Sequence, residues 1–145
     1  MNTFISHSEN ETLNFAKEFA KSLTSSDVIV LTGDLGSGKT KFTEGLLSYF
    51  GLENEISSPT FTIVNEYNTN KFNIYHFDVY RLNSVDEFYA IGGPEYFGQG
   101  LCIIEWGELI KDALPPKYIH INFSRDMENE NYRKLKIDYI DLNNI

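Results

Sequence analysis

The chain has 145 residues, 41% hydrophobic and 14% aromatic, which supplies enough apolar surface for a single folded domain spanning 1–145 without covalent staples. Its formal charge is −9, from 21 acidic against 12 basic side chains, and its only arginines are the scattered Arg81, Arg125 and Arg133. That balance excludes a stable grip on nucleic acid by this chain alone, which would run on phosphate neutralisation by a basic stripe, and leaves a basic protein partner compatible.

In chain order, Met1 to His7 lacks the basic region and long apolar stretch of a signal peptide. Ser8-Glu9-Asn10-Glu11 has the form of a capping box and opens a helix with Leu13, Ala16, Ala20 and Leu23 on one face. Val28-Ile29-Val30-Leu31-Thr32 reads as a buried strand, too short to span a bilayer, that runs into a glycine loop. Lys39 to Phe50 repeats apolar residues at helical spacing, and Gly51 ends that helix. Phe61 to Tyr67 and Phe72 to Tyr80 form a hairpin around Asn68-Thr69-Asn70-Lys71. Ser84-Val85-Asp86-Glu87 is a second capping box, opening a short helix that stops at Gly92-Gly93-Pro94. Leu101 to Trp106 is an apolar strand holding the one cysteine, Cys102, as a structural residue, which suits a reducing compartment. Glu108 to Leu114 is a short helix halted by Pro115-Pro116, and Tyr118 to Phe123 and Tyr132 to Ile140 close the sheet. The class is α/β: a P-loop NTPase domain with a mixed parallel and antiparallel sheet flanked by helices, expected to be soluble and cytoplasmic.

The chemistry starts at Gly33-Asp34-Leu35-Gly36-Ser37-Gly38-Lys39-Thr40, which fits G-x-x-x-x-G-K-[ST] and sits between a strand and a helix. Glycines let successive N–H groups turn inward around phosphate oxygens, and the positive end of the next helix adds field. Lys39 reaches the terminal phosphates, the Thr40 hydroxyl ligates Mg²⁺, and Lys41 completes the nucleotide-binding run. Such a site needs a carboxylate at the end of a neighbouring apolar strand, and Glu105 holds that position; the alternative is a solvated strand-end acid. In His76-Phe77-Asp78-Val79-Tyr80-Arg81 the alternation puts His76, Asp78 and Tyr80 on one face. That face is either a functional edge or a solvated one. In the functional case Asp78 holds Mg²⁺ through water or orients the attacking water, and Arg81 pairs with a phosphate or a carboxylate. Trp106 is a core or wall residue, and His7 and His120 are structural. Ser57-Ser58-Pro59-Thr60 suits a nucleotide-sensing switch and equally an ordinary turn.

Taken with Ser58-Pro59-Thr60-Phe61-Thr62 and Ile104-Glu105-Trp106-Gly107-Glu108, these motifs run in the order of the TsaE (YjeE) family of bacterial P-loop ATPases, which the chain resembles from Asp27 to about Glu108. The resemblance implies a protein that binds ATP with Mg²⁺, hydrolyses it weakly, and acts in the threonylcarbamoyladenosine modification of tRNA. It implies two protein partners, of the TsaD and TsaB type, that carry the transfer and hold the tRNA. By position, Thr40 and Glu105 would be Mg²⁺ ligands, Lys39 the phosphate lysine, Asp78 the residue most needed for hydrolysis, and Ser58 to Thr62 a switch-like loop. The resemblance also places Thr12 near the base and Arg133 near the nucleotide.

Three other readings compete. A small-molecule kinase would need an arginine-bearing lid, which three scattered arginines do not provide. A GTP switch would need D-x-x-G and N-K-x-D, and Asn70-Lys71-Phe72-Asn73 ends in asparagine within a hairpin turn. A non-hydrolysing interaction module is separable only by a turnover assay.

Overall fold

The computed structural model describes residues 2–34, 36–55 and 63–143. Seven strands form one sheet: β1 (Asn2–Ser6), β2 (Val28–Gly33), β3 (Val64–Asn68), β4 (Asn73–Asp78), β5 (Leu101–Glu105), β6 (Lys117–Arg125) and β7 (Arg133–Asp141). Their spatial order is β1-β7-β6-β2-β5-β4-β3. The centre is parallel, with β2 between β5 and β6 and β4 beside β5. Hairpins make both edges antiparallel, β3 on β4 and β6 on β7, while β1 closes the far side on β7. The sheet is mixed, as the strand pattern predicts.

Burial on both faces explains why β2 and β5 read as unbroken apolar runs. Ile29 and Leu31 face one cluster, with Phe42, Leu46, Ile121 and Phe123, under helices α1 (Glu9–Ala20) and α2 (Lys39–Tyr49). Val28, Val30, Cys102 and Ile104 face the other, with Phe77 and Phe88, under α3 (Val85–Ala90) and the 3-10 segments Gly93–Tyr96 and Gly107–Ala113. The two helices on the first face cross closely at Gly45, where a Cβ would stand 2.5 Å from the Leu13 carbonyl oxygen and 2.6 Å from the Ala16 methyl.

Local expectations meet local corrections. Ser8 Oγ accepts the Glu11 N–H as a cap, but the Glu11 carboxylate reaches the His7 N–H rather than that of Ser8. At the second box Ser84 makes no side-chain cap, and Glu87 accepts from Asn83 N at 2.7 Å. Both carboxylates therefore bond one residue upstream of the box pattern. The segment after Trp106 is 3-10 with a non-helical Ile110, not a continuous α-helix. Strand β4 ends at Asp78, because the Val79 N–H turns to the Glu105 carbonyl and the Tyr80 N–H to the Asp78 side chain. Tyr80 thus leaves the face that the alternation gave it. Strand β1 carries no apolar alternation of its own and is created by pairing with β7.

Gly45→Ala tests the helix crossing. The overlap outweighs the roughly 1 kcal/mol that alanine gains in helix propensity, so a net loss of about 1 kcal/mol is expected, seen as a lower urea midpoint at unchanged slope. Cys102 is fully buried, and burial pushes its thiol up to about 12. Alkylation at pH 8 should therefore track unfolding; rapid labelling of the native protein would contradict the packing.

Candidate functional site

The phosphate loop leaves the C-terminal end of β2 and enters α2, the point where a parallel sheet offers backbone N–H groups to a ligand. Gly33 has φ +127°, and a Cβ there would meet the Phe123 carbonyl oxygen at 2.1 Å, so the loop base admits only glycine. Gly36 and Gly38 also have positive φ, +74° and +109°, in the turn that opens the helix. Leu35 and the Ser58 to Thr62 switch expectation lie outside the described residues.

Lys39 is nearly buried and curls back over its own loop. Its Nζ donates to Gly33 O at 2.6 Å, Asp34 O at 2.8 Å and Ser37 Oγ at 3.3 Å. The Trp106 ring lies 3.9 Å from the same ammonium. Burial lowers the Lys39 pKa, against the opposing pull of Glu108, Glu105, Asp34 and Asp78. Trp106 pays for its position with a left-handed backbone, φ +67°, the only positive φ at a non-glycine among the described residues.

Glu105 closes the site from below. It is 4% exposed at the end of β5, where its Oε1 accepts from Thr40 Oγ1 at 3.2 Å and its Oε2 accepts from His76 Nε2 at 2.5 Å. The solvated strand-end acid is therefore not what the fold builds. His76 is equally buried, and its Nδ1 has no hydrogen-bond partner among the described residues. Asp78 is the register partner of Glu105 on β4 and is half-buried. Burial raises its pKa, Glu105 adds to that, and the Tyr80 N–H, His76 and Arg81 pull the other way. Thr40, Glu105, His76, Asp78 and Lys39 thus converge at the ends of adjacent parallel strands. Tyr80 and Arg81 lie on the exposed turn beyond.

A cavity of about 290 Å³ opens on the other side of the loop, lined by Thr12, Gly36, Gly38, Lys41, Arg133 and His7, among others. Thr12 and Arg133 thereby come together beside the loop, 121 positions apart in the chain. The Ser6 hydroxyl donates to Ser8 O, so in its 2.6 Å contact with Thr12 the Thr12 hydroxyl is the donor. Thr12 is left with lone pairs to offer. Lys41 pairs with Glu44 at 2.8 Å, and Arg133 donates to the carbonyls of Glu130 and Tyr132.

Two residues at this site carry no signal in the sequence. Arg125 donates to Gly36 O at 3.1 Å from the end of β6, and His7 packs edge-on against Tyr132 while lining the cavity. Finding Arg125 requires knowing that β6 runs beside β2, with Phe123 opposite Gly33. His120 is structural as expected, donating from Nε2 to Thr32, whose own proton goes to Asn122 Oδ1.

Known proteins share the sequence and the fold of this chain. The sequence model of the family described as threonylcarbamoyl adenosine biosynthesis protein TsaE matches residues 6–135. The tRNA threonylcarbamoyladenosine biosynthesis protein TsaE of Rickettsia prowazekii is 46% identical over 117 residues, covering 80% of this chain and 81% of the relative. The protein of the same name from Bacillus subtilis is 44% identical over 121 residues, 83% of this chain and 75% of the relative. The crystal structure of YdiB from Bacillus subtilis superimposes with a TM-score of 0.75 at 34% identity, over 96% of this chain and 85% of that one.

The His76–Glu105 pair sets a stability test. His76→Phe keeps an aromatic ring but strands a buried carboxylate oxygen, an expected cost of about 3 kcal/mol in denaturant unfolding. Glu105→Gln removes the charge and keeps one of the two acceptor oxygens, so it should cost less; equal losses would show that packing, not the charged hydrogen bond, sets the penalty.

Proposed function

The chain belongs to the TsaE family, acting in threonylcarbamoyladenosine modification of tRNA, and we propose that it serves there as a weak Mg²⁺-dependent ATPase whose nucleotide state is read by protein partners. The observation that carries this reading is Glu105 bonded to Thr40 directly beneath the glycine cradle and Lys39. A hydroxyl and a carboxylate held together at the mouth of a phosphate loop fit a cation that takes its remaining ligands from phosphate and water.

Mg²⁺-ATP, when bound, would supply the phosphoryl group and the positive charge that offsets it. This chain's residues do the rest. The N–H groups of Gly36 and Gly38, at the turn into α2, would cradle phosphate, while the Ser37 N–H is spent on Asp34 O, and Lys39 would neutralise the charge. Thr40 and Glu105 would hold the metal, with His76 fixing the carboxylate from behind. Asp78 orients water and takes its proton, and burial makes it a stronger base than an ordinary aspartate. In the lateral cavity Thr12 presents lone pairs, which accept from the exocyclic amine of adenine and repel the carbonyl oxygen of guanine. Lys41 and Arg133 flank the same space. The partners are proteins of the TsaD and TsaB type, and the tRNA is reached through them, since the chain itself carries −9.

Calorimetry with Mg²⁺ should give tight binding of ATP and ADP, GTP at least about tenfold weaker, and loss of all three in Lys39→Ala. GTP bound as tightly as ATP would remove the Thr12 argument. Asp78→Asn should bind ATP as the wild type does while phosphate release with partners present falls roughly 100-fold; unchanged release would take Asp78 out of the mechanism.

A further inference from the structure

Tyr80, Tyr89, Ile91 and Leu109 are 54%, 49%, 38% and 44% exposed, half of the eight large apolar side chains exposed among the described residues. They come from three short stretches: the turn after β4, α3 with the residue that follows it, and the Gly107–Ala113 segment. Tyr89 Oη on α3 donates to the Asp112 carbonyl at 3.4 Å, and the Leu109 N–H bonds Trp106 O at 3.0 Å. The Tyr80 ring lies 4.7 Å from the Trp106 ring. Single exposed apolar residues need no explanation, but a cluster on one ridge beside a candidate site does.

The charge around that ridge is lopsided. The turn after β4 together with residues 84–91 and 107–113 contributes Asp86, Glu87, Glu108 and Asp112 against Arg81 and Lys111. A second copy of this chain, also at −9, would meet the ridge with like charge, and so would a phosphate backbone or an anionic membrane. The surface that complements it has an apolar centre and a rim of lysine and arginine.

The ridge is also wired to the site. The Tyr80 ring packs at a tilt against Trp106, whose ring carries the Lys39 ammonium, and the Tyr80 N–H holds Asp78 Oδ1 at 3.1 Å. Anything that seats on Tyr80 therefore bears on both the phosphate lysine and the aspartate. We propose that the surface formed by the turn after β4, α3 and the Gly107–Ala113 segment, carrying Tyr80, Tyr89 and Leu109, is the docking surface for a basic-rimmed protein partner. This rests on the partner reading given under Proposed function and names the surface through which it operates.

The test uses the full chain and the purified TsaD- and TsaB-type pair. Tyr89→Ser/Leu109→Ser removes the apolar centre without touching the nucleotide machinery, and Tyr139→Ser/Leu142→Ser does the same to exposed residues elsewhere, 63% and 58% exposed. ATP affinity, measured alongside, reports that each variant is folded. The ridge variant should bind the pair at least about tenfold more weakly, and the second variant should bind like the wild type. Asp112→Lys should also weaken binding, most at low salt. Wild-type affinity in the ridge variant would overturn this surface and leave the partner reading standing. Failure of the wild-type chain to bind the pair would overturn that reading and this surface with it. A wild-type dimer that the ridge variant dissolves would make the occupant a second copy and overturn the proposal.

Discussion

A single buried carboxylate organises the site. Glu105 sits at the end of β5 with one oxygen on Thr40 and the other on His76, so it ties the start of α2 to the neighbouring strand β4. A charge taken out of water is stable only when both oxygens are occupied. The carboxylate thereby dictates where the first turn of α2 rests on the sheet, and with it the phosphate loop. His76 accepts a cost in return, since its Nδ1 is buried without a partner among the described residues. Removing the histidine would leave the acid short of a donor, so the pair stands or falls together.

The two faces of the sheet are built differently, and the difference places the chemistry. One face is clamped by α1 and α2, whose axes approach closely because Gly45 has no Cβ to keep Leu13 and Ala16 away. The other is covered by one six-residue helix and two 3-10 segments, which leave aromatic and aliphatic side chains at the surface. Trp106 stands between the regions. Its left-handed backbone turns the chain from the strand that carries Glu105 into the covering segment and lays its ring against Lys39. A backbone conformation that bulky residues avoid is held there by the Trp106 N–H bond to Leu31 O at 2.9 Å.

Beside the lateral cavity one hydrogen-bond direction fixes another. Ser6 has one proton and gives it to Ser8 O, which obliges Thr12 to give its proton to Ser6. Arg125, on Gly36 O, and Arg133, in the cavity wall, flank the loop from the two strands of the β6–β7 hairpin, where they are register partners. The loop is therefore buttressed by the part of the chain farthest from it in sequence.

Much of this was legible in the sequence, and for a physical reason. The phosphate loop, its flanking strand and helix, Glu105 at the end of an apolar run, and the α/β class all follow from local backbone needs and from periodicity, which act over a few residues. The alternation of His76 and Asp78 was legible too, but not that Tyr80 departs from it, because the turn is made by bonds to Asp78 and to Glu105, the latter 26 positions on. Strand β1, Arg125 at the loop and the meeting of Thr12 with Arg133 were decided only by tertiary structure. Each depends on which strands lie side by side, and strand order is set by burial summed over the whole sheet, a quantity that no short stretch of sequence contains.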